Sequence, residues 1–178
     1  MQNQRVNVRP HPVPVNDMTF PSAPEPIAAY DASTIARWFL AWADSEEEGA
    51  LSNLKLQKLL YYAQGHHLAR FGAPLFADEI QAWTHGPVVP VVYRQYKDHG
   101  SNAIPFTEDF DFFQVDTETT DLLASVWETF GSKSAWKLRE MTHSEAPWTS
   151  SYRDGEHFIT IPRSVIYRYF RGLSALAE

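Results

Sequence analysis

The sequence predicts a mainly α protein, a compact single-domain helical bundle of about six helices with at most a short two-stranded β element. Three observations predict it. Apolar residues recur at helical spacing in separate stretches, most glycines and prolines fall between those stretches, and only brief runs near 80–83 and 158–161 look extended. With 178 residues, 44% apolar and 14% aromatic, the chain can build one real core. That core is expected in residues 31–178. Residues 1–30 hold half of the chain's prolines, Pro10, Pro12, Pro14, Pro21, Pro24 and Pro26, with little periodicity between them. Proline fixes φ and removes a donor, so 1–30 reads as a proline-rich flexible N-terminal arm.

Asp31 can cap a first helix that carries Ile35, Trp38, Phe39 and Trp42 on one face. Ser52 or Asn53 can cap a second, with Leu56, Leu59, Leu60, Ala63 and His67 as its stripe and Gly72 as its stop. Gly65 lies inside that helix at a cost of about 1 kcal/mol against alanine, which predicts close approach of another backbone. Pro87 and Pro90 suit the first turn of a third helix with Val89, Val92, Tyr93 and Tyr96 inward, ended by Gly100. Residues 101–118 read as a long loop that pins Phe110, Phe112 and Phe113 onto the core. Asp116 or Thr117 opens a fourth helix with Leu122, Leu123, Val126, Trp127 and Phe130. Ser134 caps a fifth with Leu138 and Met141, and Ala146-Pro147-Trp148 reads as a turn. Pro162 starts the last helix, with Val165, Ile166, Tyr169 and Phe170 inward.

The chain has no cysteine, so neither a disulfide framework nor thiolate chemistry is available. A net charge of −7 argues against nucleic acid, whose affinity comes from clustered lysine and arginine, and favours a basic partner. No long apolar run and no signal-peptide pattern occur, which predicts a cytoplasmic protein with no membrane partner.

The seven histidines are where catalysis or a metal would show. His66 and His67 are adjacent and point to different faces, unlike the i, i+4 pair of a helical zinc site. His85, in Trp-Thr-His-Gly-Pro, stands at the start of the third helix, where it either bonds a backbone carbonyl or meets a partner. His143-Ser144-Glu145 has base, nucleophile and carboxylate in a row, but triads are assembled from separate elements; Thr142 or Ser144 is expected to cap a helical turn instead. No dinucleotide, phosphate-loop or zinc-protease spacing is present. We therefore expect no enzyme, no catalytic residues, no cofactor and no metal. The alternatives are a small hydrolase or transferase using His85, His143 and Glu145 if they converge on one pocket, and an acidic DNA-associated regulator.

The residues that suit a protein partner lie in the second helix and the turn after it. Lys55, Gln57, Lys58, Tyr61 and Tyr62 share the helix with the core stripe, and Lys55, Gln57 and Tyr62 are expected to face outward or sideways. His85, Gly86 and Pro87 complete the expected surface.

Four blocks carry a family resemblance: Leu-Lys-Leu-Gln-Lys-Leu-Leu-Tyr-Tyr-Ala-Gln-Gly at 54–65, Pro-Leu-Phe at 74–76, Ile-Gln-Ala-Trp-Thr-His-Gly-Pro-Val-Val-Pro-Val-Val-Tyr at 80–93, and Thr-His-Ser-Glu-Ala-Pro-Trp at 142–148. Together they resemble the signature of the Panacea antitoxin domain family, which includes SocA-type antitoxins and phage-associated GepA-like proteins, over about residues 33–171. The resemblance implies a helical, non-enzymatic domain encoded beside a toxin, which it binds and neutralises. The SocA-type branch implies a further role as a proteolytic adaptor that delivers the toxin to a Clp protease.

Overall fold

A computed structural model describes residues 28–46 and 50–175. Seven α-helices occur among them: α1 (Ala32–Asp44), α2 (Asn53–Phe71), α3 (Pro90–Tyr96), α4 (Thr117–Phe130), α5 (Ala135–Ser144), α6 (Ala146–Ser151) and α7 (Arg163–Ala175). Two strands, β1 (Gln81–Trp83) and β2 (Gly86–Val88), pair antiparallel as a hairpin. The mainly α bundle with one two-stranded element is the architecture expected from the sequence. The expected arm lies almost wholly outside the described residues.

The caps are those the sequence names. Asp31, Ser52, Asp116 and Ser134 each accept a bond from the backbone N–H three residues on, which satisfies one orphan donor per helix. α2 closes on Gly72 in the left-handed conformation, with φ 68°.

α2 is the hub. α1, α3, α4, α5, α7 and β2 all pack on it, so its middle has no solvent face: every residue from 56 to 65 is buried. The outward face expected for Gln57 and Tyr62 is therefore corrected, since they are 1% and 2% exposed. Only Lys55, nearer the helix start, keeps partial exposure. A helix enclosed on all sides shows no clean stripe, because its polar positions are buried by hydrogen bonding rather than by apolar character.

Four local expectations also change. The close neighbour of Gly65 is the Phe170 ring of α7, not a backbone: a Cβ there would lie 2.5 Å from Phe170 Cζ. Pro87 belongs to β2, and α3 begins at Pro90. Residues 146–151 form α6 rather than a turn, and neither Thr142 nor Ser144 caps it, since their hydroxyls donate back to Arg139 O and Met141 O. Phe110 and Phe112 pack onto the core side of the loop, but Phe113 is 98% exposed.

Residues 159–161 extend the hairpin edge. Ala82 N–H donates to Ile159 O at 2.8 Å, and Ile161 N–H donates to Ile80 O at 2.7 Å. The segment before α7 thereby fixes the far side of β1.

Candidate functional site

Polar residues of α2 bond to the hairpin, to α3, to the loop at 73–76 and to Glu145. Asn53 donates to Tyr93 O at 3.1 Å and accepts from Gln57 Nε2 at 2.9 Å. Gln57 Oε1 accepts the Val89 N–H at 2.8 Å, and Lys58 Nζ donates to Pro87 O at 2.9 Å. Tyr61 and Tyr62 donate to the two oxygens of Glu145, each at 2.8 Å. Gln64 accepts from Leu75 N and Phe76 N and donates to Phe76 O; His67 donates through Nδ1 to Ala73 O at 2.8 Å. Burial makes these bonds obligatory, because each loop group would otherwise be an unpaired polar atom away from water.

Lys58 has no solvent exposure. Burial, and secondarily the Arg139 guanidinium, lowers its pKa to about 7. Gly86 presses on it: at φ 101° the position suits only glycine, and a Cβ would meet Lys58 Cε and Thr142 Oγ1 at 2.8 Å each. This contact locks the hairpin turn between α2 and α5.

The turn itself faces solvent. Thr84 and His85 are exposed, and His85 Nδ1 accepts from Arg139 Nε at 3.2 Å. Arg139 also lies 4.6 Å above the ring of Trp136, which is 61% exposed. On the other side Phe158, 71% exposed, stands 6.4 Å from the Trp83 ring, and Trp83 meets Tyr93 edge-on at 4.9 Å. Phe158 has φ 62°, a conformation that costs a non-glycine residue roughly 1 kcal/mol or more. A cavity of about 760 Å³ opens beneath it, lined by Gln57, Trp83, His85, Tyr93 and Phe158 among others. Aromatic rings, an arginine and a histidine thus ring the hairpin, a composition typical of protein-contact hot spots.

His85, His143 and Glu145 are not gathered in one described cavity. Glu145 is held by the two tyrosines and lines a different cavity from His85, while His143 stacks on Trp148 at 3.9 Å. Burial first, then Arg139, Lys58 and His85, pushes the His143 pKa down to about 4, so it is neutral near pH 7. Glu145 and His85 thus share none of the described cavities, which the hydrolase or transferase alternative would need. Among the described residues no group of three or more His, Cys, Asp and Glu is placed to hold a metal, and no helix is long and apolar enough to cross a membrane.

Residues 56–149 match the family described as "Antitoxin SocA-like, Panacea domain", just over half of the chain. The chain belongs to this family. "Antitoxin SocA" of Caulobacter vibrioides (strain NA1000 / CB15N) is 50% identical over 54 residues, 30% of this chain and 29% of that protein. The chain thus matches less than a third of that relative's length. No solved structure matches it. The Panacea match covers α2 from Leu56 onward, the hairpin and α5. Of the residues expected at a surface, His85 is exposed and Lys55 partly so, while Gln57, Lys58, Tyr61 and Tyr62 are buried. Trp136 could have been found, because it lies off the Leu138 and Met141 stripe of α5. Phe158 had no signal, since no local pattern announces its positive φ in a run that reads as extended.

Proposed function

We propose that this Panacea chain is a non-enzymatic antitoxin that binds one cognate protein toxin, with the hairpin surface as its contact. The observation that carries this reading is the pair of exposed aromatics, Trp136 beside His85 and Phe158 beside Trp83, on a braced turn. His85 and the half-exposed Lys55 contact the toxin directly. Gln57, Lys58, Gly86 and Pro87 act from beneath by holding the turn in place, and Tyr61 and Tyr62 act indirectly by fixing Glu145. Family membership supplies the partner class, and the identity to the Caulobacter antitoxin favours the finer version in which the toxin passes to a Clp protease. The expected proline-rich arm at 1–30 is a reasonable tether for that step.

The test is co-expression with the toxin encoded beside this gene, followed by co-purification. Wild type should restore growth. Trp136→Ala and Phe158→Gly should each keep the fold and weaken toxin binding by roughly thirtyfold, the scale of a hot-spot truncation of about 2 kcal/mol. Failure to rescue growth sinks the antitoxin reading; toxin turnover unchanged by a Clp protease removes only the delivery step.

A further inference from the structure

A second cavity, about 850 Å³, opens where α4 and α7 both pack on α2. Leu122, Val126, Phe130 and Phe170 give it apolar walls. Its lining includes one buried carboxylate, Glu145, which is 8% exposed. Both of its oxygens accept tyrosine hydroxyls, an arrangement that suits the ionised form.

Glu145 is in neither of the ion pairs described, Arg37 with Glu108 and Lys137 with Glu140. Two arginines also line the cavity, but each is engaged elsewhere. Arg70 lies over the Phe71 ring, and Arg171 donates to Tyr167 Oη at 2.9 Å. A carboxylate buried without a counter-charge is costly, and the two tyrosine bonds only partly offset its desolvation.

We infer that this cavity receives a single lysine or arginine side chain of the toxin, carried on an apolar segment. The inference rests on the antitoxin reading above. The aliphatic stem would lie along the Phe130 and Phe170 walls while the charged head meets Glu145. The chain's net charge of −7 favours a basic partner, whereas Arg70 and Arg171 disfavour a segment dense in positive charge. One cation with apolar neighbours satisfies both conditions.

The probes are hexylammonium, hexanol and hexanoate, titrated at pH 8 against the full chain while the NMR signal of the Met141 methyl, which lines the cavity, is followed. Hexylammonium should bind roughly tenfold more tightly than hexanol, the scale of one charge-assisted bond, and hexanoate more weakly than either. Glu145→Gln should abolish that preference. Leu173→Lys, at an exposed lining position, should weaken hexylammonium selectively even if the first variant folds poorly. Equal binding of the three probes, or a preference that survives both substitutions, overturns the inference. Toxin that binds Glu145→Gln as tightly as wild type overturns it and leaves the antitoxin reading standing; toxin that binds neither chain overturns both.

Discussion

Replacing Lys58 by methionine tests whether the hub of the fold holds a neutral amine. In the folded chain the amine is fully buried, bonded to Pro87 O, walled by Gly86 and Thr142 and repelled by Arg139, and its pKa is lowered to about 7. In the unfolded chain it returns to about 10.4. Between those values the unfolded state binds the extra proton, so the Lys58 contribution makes stability rise with pH; below about pH 7 both states are protonated and the contribution is flat. At a limiting slope of about 1.4 kcal/mol per unit, the gain from pH 7 to pH 9 is about 2 kcal/mol, against a few tenths from pH 6 to pH 7. Methionine keeps an unbranched stem of similar reach and has nothing to titrate. Subtracting the variant removes the other groups: the lowered pKa values of His66, His67 and His143 act below about pH 6.5, the unfolded forms of Tyr61 and Tyr62 titrate only from about pH 10, and Lys55, also lowered by burial, contributes alike to both proteins. Urea unfolding of wild type and Lys58→Met at pH 6, 7, 8 and 9 provides the assay. The wild-type stability, less that of the variant, should climb by about 2 kcal/mol between pH 7 and pH 9. Parallel profiles, or a wild type that loses ground as pH rises, would refute a neutral buried Lys58.

Two further substitutions probe the same helix. Gly65→Ala should destabilise by about 1–3 kcal/mol although alanine favours helix, because the Phe170 ring must move out of the way; a variant that unfolds at higher urea than wild type contradicts this packing. Gln64→Leu should cost about 3 kcal/mol or more, since Leu75 N, Phe76 N and Phe76 O lose their partner together, and hydrogen exchange at Leu75 and Phe76 should rise well before global unfolding.

The helices were legible because caps and stripes are local: Asp31, Ser52, Asp116 and Ser134 work within one turn of themselves. What α2 touches was not legible. The partners of Asn53, Gln57 and Lys58 lie 40, 32 and 29 positions away, and no local period records such pairings. Gln57 and Tyr62 therefore looked like surface residues on a helical wheel, although the fold surrounds them. Other features also escaped: α6, whose six residues are too few for a stripe, and Phe158, whose positive φ no pattern announces. For His85 only the turn was legible, from Gly86 and Pro87 beside it; it lies between β1 and β2 rather than at the expected helix start, and meets Arg139 rather than a backbone carbonyl.

The long-range pairings also explain why the most recognisable segment need not be the one that chooses the partner. Lysine, glutamine and tyrosine in α2 are used up in satisfying the backbone of the hairpin and of the loop at 73–76, and in fixing Glu145. Changing any of them strands a buried donor or acceptor, a loss of about 1–3 kcal/mol that a domain of marginal stability tolerates poorly. Trp136, Phe158 and His85 satisfy no such buried group, so substituting them costs the fold little. A scaffold divided in this way can exchange its contact residues while α2 stays fixed. The interior of α2 thus braces the hairpin, and on the antitoxin reading proposed above a braced turn lowers the ordering cost of binding a toxin.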